Sequence, residues 1–424
     1  MSAHESLAAN LAAADSLVLI LPDGTTIATK TSIKPEGITS DDITDLVNRA
    51  STIVSLNEVP LCTYHILQRT ASLVISSVGT SFEHIAAHVP SYSILEFVPP
   101  SSPFQSEPFF ISIADFWGLI YIFFTKYDTQ ENIPILIPRS LENHAQLRSY
   151  VLRSGLGRTA LSPSASKEEL FLSRAAFWQG AGTLGYHTRG WLPAGAESTL
   201  NAHASFPAVQ SFTRTPLVIT SHPLRPPKPK RGEVVYRRYC PTVKQVLELI
   251  YFDIGNEGSI SPHLQAFHNW QNNGRVDKWW NEAGTMEKHK EYIQSMLDDP
   301  AVLPLMMSWD GELMGYTEIV WVKENHVAAY VPNGAKDWDR GVHVIMGEEK
   351  FRGSVRAKAW FSSLHHYCFL VEPRTTRLIG EPRTDHAAVL KLLNNTNVHI
   401  QATVDFPYKR SFLACLPRER YFKL

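Results

Sequence analysis

The sequence predicts a mixed α+β protein with two folded domains, and three observations lead to this prediction. The chain has 424 residues, whereas a single domain typically has about 100 to 200. Hydrophobic residues make up 44% and charged residues 19% of the chain, a composition typical of globular proteins. Residues 222–232 contain four prolines and four basic residues, which predicts an extended linker between domains 1–221 and 233–424.

The charge balance and the cysteines exclude several classes of protein. With 40 basic and 41 acidic residues the formal charge is −1, so there is no overall field to hold nucleic acid or an anionic membrane. The four cysteines form no CxxC pair, which predicts neither a disulfide framework nor a zinc site. Residues 1–14 contain no Lys or Arg, so no secretory signal is expected.

The first domain, 1–221, is predicted to be α/β and structural. Leu17–Leu21 and Thr25–Thr29 flank Asp23-Gly24, a tight hairpin signal. The capping-box spacing of 166–169 predicts a helix through residues 170–178. The apolar run 109–124 is too short to span a bilayer and is interpreted as buried strands. Because catalytic motifs are missing from this half, a role in homo-oligomer formation is expected.

The second domain, 233–424, has a clearer order of elements. A strand is predicted near Val234–Tyr239, and helices begin at Ser261-Pro262 and at Thr285. Asp310-Gly311 predicts a hairpin between two strands. The remaining predicted elements are a strand at 342–346, a helix at 354–367, a strand at 377–380, a helix at 387–393, and strands at 399–404 and 412–416.

This order and three sequence segments resemble one known family. The segments are Phe267–Trp280, Asp339–Gly347 with an inward histidine, and Gly380–His386. Together with Arg352-Gly353 and residues 409–411, they are similar to the siderophore acyltransferases, and most of all to fungal N5-hydroxyornithine transacylases. The resemblance covers about residues 234–424. It implies a GNAT (GCN5-related N-acyltransferase) fold for this domain, and the first domain is then expected to be a degenerate copy of it.

The resemblance also implies an acyl-CoA donor and a loop that binds it. The segment that corresponds to the family's pyrophosphate loop has valine where glycine is usual; it consists of Arg352, Gly353, Ser354, Val355, Arg356 and Ala357. The amides at a helix N-terminus suit a phosphate. The alternative is a basic loop that only begins a helix. The acyl group is either acetyl or anhydromevalonyl, and no metal is expected.

The same resemblance assigns the catalytic base to His343. A neutral imidazole takes the proton from the attacking hydroxylamine nitrogen, whereas a lone strand histidine is more often a core residue. Asp385 either orients His343 or holds the substrate amine, and the alternative is that it only caps the helix that begins at Ala387. No cysteine lies in the predicted site loop, so direct transfer is preferred to an acyl-enzyme, with Cys368 left to be tested.

An amino-acid acceptor such as N5-hydroxy-L-ornithine needs partners for its ammonium and carboxylate groups. Glu318 and Asp339 are candidates for the ammonium, and Arg275 or Arg383 for the carboxylate; all four are alternatively solvated charges. Three further side chains are assigned to the substrate pocket or to the core: His268, Trp279 and Trp280. Tyr316 or Tyr408 is the candidate proton donor to the leaving thiolate.

The sequence therefore predicts an acyl-CoA-dependent N5-acylation of N5-hydroxy-L-ornithine for siderophore biosynthesis and iron acquisition in a fungus. An inactive CoA-binding scaffold and an N-acyltransferase for a different amine are the alternatives. The C-terminal Phe422-Lys-Leu424 is near the peroxisomal Ser-Lys-Leu signal. Its bulky first residue departs from that signal, and both peroxisome and cytoplasm stay open.

Overall fold

The computed structural model describes residues 16–33, 50–70, 91–100, 109–159, 168–193, 209–256 and 258–423. The chain divides into two compact units, residues 1–190 and 191–424. The division lies before the predicted linker, which belongs to the second unit. The first 14 residues, which carry the prediction about secretion, and Leu424 of the C-terminal signal lie outside the described residues.

Within its described part, the first unit is built on one mixed sheet. The strand order is β1-β2-β3-β4-β5-β6-β8-β7, and every neighbouring pair is antiparallel except the parallel pair β5–β6. The strands are β1 (Ser16–Ile20), β2 (Thr26–Ile33), β3 (Ala50–Leu56), β4 (Val59–Thr70), β5 (Ser91–Val98), β6 (Asn132–Leu136), β7 (Gly157–Thr159) and β8 (Glu169–Ser173). The helices are α1 (Ile113–Lys126), α2 (His144–Arg153) and α3 (Arg174–Trp178).

Two elements of this unit differ from the sequence prediction. The apolar run forms the helix α1, in which residues 116–124 are all buried. A helix that is buried on all sides shows no periodicity, and so its sequence cannot be told from that of a buried strand. The helix predicted through residues 170–178 is confirmed only for Arg174–Trp178, which is α3. Residues 169–173 form the strand β8, because Leu170 and Leu172 alternate into the core and pair with β6.

The second unit contains a short hairpin followed by a second mixed sheet. In its described part the sheet order is β11-β12-β13-β14-β15-β16-β18-β17, with β15–β16 as the parallel pair. The strands are β9 (Gln210–Arg214), β10 (Ile219–Pro223), β11 (Val234–Cys240), β12 (Gln245–Tyr251), β13 (Val302–Trp309), β14 (Glu312–Trp321), β15 (Arg340–Met346), β16 (Arg377–Gly380), β17 (His399–Phe406) and β18 (Lys409–Pro417). The topology repeats that of the first unit and agrees with the predicted second copy of the fold.

The helices of the second unit follow local signals in the sequence. They are α4 (Pro262–Gln271), α5 (Gly274–Trp280), α6 (Met286–Asp298), α7 (Ser354–Val371), α8 (Ala387–Asn394) and α9 (Arg418–Phe422), with 3₁₀ segments at Val322–Glu324, His326–Tyr330 and Glu349–Phe351. Ser261 caps α4 by accepting a hydrogen bond from the Leu264 amide, and Pro262 begins the helix. The sequence analysis did not predict β12 or α5. No described helix combines the length and apolar character needed to cross a membrane.

The proline-rich segment 222–232 is fixed to the second unit by its basic side chains. Arg225 donates from Nε to Glu324 Oε1 at 2.6 Å, and both side chains are buried. Lys228 donates from Nζ to the carbonyls of Met296 and Leu297 at 2.8 and 2.7 Å, at the C-terminus of α6. The segment is extended as predicted, but it is a packed strap of this unit.

Candidate active site

Two strand pairings of the second sheet bring three polar side chains together. Glu318 on β14 lies directly opposite His343 on β15. In the parallel pair β15–β16, Gly341 is in register with Ile379. His343 and Glu381 each follow that pair by two residues, so both side chains lie on the same face of the sheet.

His343 lies between two carboxylates. Its Nδ1 is 3.1 Å from Glu318 Oε2, and its Nε2 is 3.1 Å from Glu381 Oε1. Burial alone lowers the pKa of His343, but the two carboxylates outweigh it and raise the pKa to about 10. The imidazole is therefore protonated at neutral pH in this arrangement. The resting charge of His343 therefore differs from the neutral form that the sequence analysis expected, and its catalytic role stays a prediction.

Each carboxylate is held by further side chains. Tyr292 on α6 and Tyr316 on β14 donate to Glu318 Oε1 at 2.5 and 3.0 Å. Lys409, the first residue of β18, lies 3.4 Å from Glu381 Oε1 and donates to the Glu381 carbonyl at 3.1 Å. Burial acts to raise the pKa of Glu381, but His343 and Lys409 bring it well below its ordinary value. The cluster is thus a chain of alternating charges.

The start of α7 has the features of an anion site. Gly353 is the N-cap residue, makes no side-chain hydrogen bond to the helix, and has φ of +134°. A Cβ built on Gly353 would meet nothing within 4 Å, so a ligand can approach the backbone closely. The amides of the first turn then point at an incoming phosphate.

The basic side chains of this loop are accessible. Arg352 lies 3.3 Å from Glu349 on the surface, and the Arg356 guanidinium contacts Gln245 at 3.4 Å. Val355, which replaces the usual glycine, is 55% exposed and obstructs nothing inside the helix. These residues fit a pyrophosphate group.

The structure places several predicted substrate residues away from His343. Asp339 is buried and accepts hydrogen bonds from Arg377 at 2.8 to 3.1 Å, so it is not available to a substrate ammonium. Asp385 is exposed and pairs with Arg383 at 3.1 Å. Asp385 therefore does not orient His343, and the prediction of that role is wrong. It does not cap α8 either, since His386 is the N-cap residue.

Arg275 is also committed to a structural contact. It donates to the carbonyls of Met346 and Gly347 at 2.9 and 2.7 Å. These carbonyls end β15, so Arg275 fixes the strand that positions His343. Arg275 and Arg383, the two arginines predicted to bind the acceptor carboxylate, therefore both have other partners in the structure.

The aromatic candidates lie on α4 and α5. Trp279 stacks on His386, with ring centroids 4.0 Å apart, and Trp280 lies 6.5 Å from the Tyr316 ring. Both tryptophans are half-buried at the end of a helix, whereas the sequence predicted a loop. His268 shares a 2.8 Å contact between Nδ1 atoms with His289 and also contacts the Asn272 side-chain amide, so these partners are not site carboxylates.

Sequence reasoning missed Glu381, Lys409 and Tyr292. Glu381 lies in the predicted turn segment Gly380–His386, but Asp385 was chosen from it. A parallel pairing of β15 with β16 would have placed Glu381 beside His343, and that pairing is not visible in the sequence. Tyr292 reaches Glu318 from α6 across 26 residues.

The cysteines and potential metal ligands add no further chemistry. All four cysteines are buried, and burial raises the pKa of Cys368 to about 11, which disfavours a nucleophilic thiolate. The described residues include no group of three or more His, Cys, Asp or Glu side chains suited to a metal ion. The prediction of a metal-free reaction stays a prediction.

Comparison with known proteins identifies the family. The acetyltransferase (GNAT) domain family matches residues 259–406. An acyltransferase from Omphalotus olearius is 39% identical over 76% of this chain and 80% of its own length. A hydroxyornithine transacylase from Ajellomyces capsulatus is 35% identical over 74% of this chain and 72% of its own length.

A third relative adds a named acyl donor. An N5-hydroxyornithine:cis-anhydromevalonyl coenzyme A-N5-transacylase from Beauveria bassiana is 38% identical over 59% of this chain and 57% of its own length. The histidine cluster and the open start of α7 lie in the unit to which the GNAT match belongs. The chain belongs to the GNAT acyltransferase family that includes these siderophore hydroxyornithine transacylases.

Proposed function

We propose that the protein transfers an acyl group from acyl-CoA to the N5 nitrogen of N5-hydroxy-L-ornithine and forms a hydroxamate. The observation that supports this most directly is the Glu318–His343–Glu381 cluster, which lies in the same unit as the open start of α7. The names of the Ajellomyces and Beauveria relatives supply the acceptor. A hydroxamate product binds iron(III), which connects this reaction to siderophore biosynthesis and iron acquisition.

The chemistry of the acceptor suits this cluster. A hydroxylamine nitrogen is much less basic than an alkylamine and is neutral at neutral pH, so it attacks without prior deprotonation. The N–C bond forms, the C–S bond of the thioester breaks, and the nitrogen loses one proton. The protonated His343, held by Glu381, gives a proton to the thiolate, which leaves as CoA–SH, and the neutral imidazole so formed takes the proton that the nitrogen loses. His343 acts as one half of the Glu381–His343 pair and not as a free base.

The acyl group stays open between acetyl and anhydromevalonyl. The Beauveria relative favours anhydromevalonyl-CoA by its name alone. Trp280 and Tyr316 lie beside the cluster and are the side chains we expect to limit the size of the acyl group.

The experiment is to mix the purified chain with N5-hydroxy-L-ornithine and, separately, acetyl-CoA and anhydromevalonyl-CoA. CoA release is followed by thiol titration and the hydroxamate by mass spectrometry, with L-ornithine as the matched acceptor that lacks the hydroxyl group. Hydroxamate formed with either donor supports the proposal and ranks the donors. Tight CoA binding without product contradicts it and favours an inactive CoA-binding scaffold or a different amine acceptor.

The cellular location is a separate proposal. We infer a peroxisomal or cytoplasmic enzyme from the C-terminal Phe422-Lys423-Leu424. In the structure Phe422 is buried and packs against Phe369, with ring centroids 5.8 Å apart. This burial disfavours recognition of the tripeptide by a peroxisomal import receptor. Fluorescence microscopy of the tagged chain with and without the tripeptide tests the cellular location. Size-exclusion chromatography with light scattering tests the expected homo-oligomer.

A further inference from the structure

The proposed acceptor carries an α-carboxylate, and the arginines near which the sequence analysis placed it have other partners. Arg275 donates to the end of β15, and Arg383 pairs with Asp385. Arg377 is bound to Asp339. The carboxylate therefore needs donors that the sequence analysis did not assign to it.

Tyr408 and His326 form a hydrogen-bonded pair close to Glu381. Tyr408, in the turn between β17 and β18, is 62% exposed. Its hydroxyl shares a 2.7 Å hydrogen bond with Nε2 of His326, which begins the second 3₁₀ segment. Burial lowers the pKa of His326, with Glu381 acting in the opposite direction, so this imidazole is neutral at neutral pH.

A continuous series of contacts joins this pair to the reacting centre. His343 Nε2 is 3.1 Å from Glu381, and Glu381 is 3.4 Å from Lys409 Nζ. Lys409 Nζ lies 5.7 Å from the ring centroid of Tyr408, the preceding residue. The pair thus lies beside the cluster, separated from it by one lysine side chain.

The aromatic ring of Phe406 packs against both members of the pair. Phe406 stacks on Tyr408 with ring centroids 5.8 Å apart and contacts His326 at 5.7 Å. Tyr330 also packs on Phe406, with ring centroids 4.4 Å apart. Rings packed in this way hold the hydroxyl and the imidazole in fixed positions, as a selective subsite requires.

We propose that His326 and Tyr408 bind the α-carboxylate of the amino-acid acceptor and make the enzyme selective for it. This inference rests on the proposed function. The reactive nitrogen and the carboxylate of hydroxyornithine are separated by three methylene groups and the α-carbon, a short chain that extends from Glu381 past Lys409 to the pair. Lys409 adds positive charge beside the carboxylate. The phenol and the neutral imidazole, in its Nε2–H form, each donate one hydrogen bond to the carboxylate in place of the hydrogen bond between them.

The test compares two acceptors that differ only in the carboxylate. The ratio of kcat/KM for N5-hydroxy-L-ornithine to that for N-hydroxyputrescine is measured for the wild type, His326→Ala and Tyr408→Phe. We expect the ratio to fall about 10- to 100-fold in each variant, because a hydrogen bond to a charged group is lost. The KM for acyl-CoA stays unchanged. Tyr186→Phe, an exposed tyrosine of the first unit, is the control and keeps the wild-type ratio.

The possible outcomes separate the two proposals. A wild type that acylates neither compound contradicts the proposed function. A wild type that acylates hydroxyornithine while the variants keep its acceptor ratio contradicts the carboxylate subsite alone. Thermal unfolding of each variant shows that it is folded, and Tyr408→Phe keeps the ring that packs on Phe406 if His326→Ala is unstable.

Discussion

The two units share one topology but differ in the residues at the same places. Both sheets have the strand order 1-2-3-4-5-6-8-7, counted within the described residues of each unit, and in both the fifth and sixth strands form the parallel pair. In both, a long helix follows the fifth strand: α1 in the first unit and α7 in the second. The comparison therefore isolates what the side chains contribute.

The first unit lacks the charged cluster. The two units can be aligned by their parallel strand pairs. Leu95–Ile135 and Glu96–Leu136 of the first unit then correspond to Arg340–Leu378 and Gly341–Ile379 of the second. In this register the residues in place of Glu318, His343 and Glu381 are Thr63, Val98 and Pro138. None of the three carries a group that titrates near neutral pH, so the first unit retains the scaffold without the chemistry.

The long helices also begin differently. In the second unit the N-cap is Gly353, which makes no side-chain cap. In the first, Ser112 accepts from the Asp115 amide and donates to the Asp115 carboxylate at 2.6 Å, and Arg189 pairs with Asp115 at 2.8 Å. The Asp115 carboxylate thus occupies the N-terminus of α1, which is where an anion would otherwise bind. The shared fold does not by itself provide a site.

The largest expected effect is the loss of turnover on removal of Glu381. Glu381→Gln keeps the size of the side chain but removes the carboxylate that faces His343, and we expect kcat to fall about 100- to 10,000-fold. Steady-state CoA release with saturating substrates measures it. Asp385→Asn, four residues further along, is the matched control and stays near the wild-type rate. Equal activity of the two variants would show that the Glu381 carboxylate has no role in the mechanism.

The second prediction concerns pH and the charge on His343. Because the folded pKa is raised from 6.5 to about 10, the imidazolium stabilises the fold fully below pH 6.5, and this contribution is lost as the pH rises to 10. Urea unfolding of the wild type and of His343→Gln is compared across this range. We expect the stability difference between them to shrink as the pH rises, by more than the ~1 kcal/mol of an exposed ion pair.

A difference that stays constant from pH 6.5 to 10 would contradict the charged resting state. Val98→His in the first unit is the companion variant. Since the aligned neighbours there are Thr63 and Pro138, a histidine at that place is expected to titrate near its ordinary pKa, as NMR of the ring protons would show.

These predictions also indicate which parts of the protein its sequence specifies. Local signals predicted the hairpin at Asp310-Gly311, where the two residues have φ of +50° and +82°, and the helix at Ser261-Pro262. The inward histidine was identified from a resemblance. In contrast, the position of Glu381 depends on the parallel pairing of Arg340 with Leu378 and of Gly341 with Ile379, partners that are 38 residues apart in the sequence.

Long-range contacts also decided the errors. Leu170 and Leu172 become a strand because β6 is available to pair with them. Arg225 of the strap finds Glu324 across 99 residues. A window of local sequence contains neither partner, so it predicts a helix in the first case and a free linker in the second.

The third prediction tests the open helix start. Gly353→Ala places a Cβ at φ of +134°, a strained conformation for any other residue, and shifts the amides that face the pyrophosphate. We expect the KM for acyl-CoA to rise about tenfold, as roughly 1 to 2 kcal/mol of strain implies. Gly24→Ala is the matched control, because Gly24 also has positive φ and open space around an added Cβ. Equal KM values for the two variants would argue against binding at α7.

The smallest expected effect belongs to the first unit. Ser112→Ala removes the N-cap of α1, and we expect a loss of about 1 kcal/mol in the free energy of unfolding with kcat and both KM values unchanged. Isothermal titration with CoA should give one site per chain for the wild type and for this variant, since Asp115 and Arg189 still fill the start of α1. A second CoA site, appearing when the cap is removed, would mean that Ser112 and not Asp115 keeps the first unit from binding the donor.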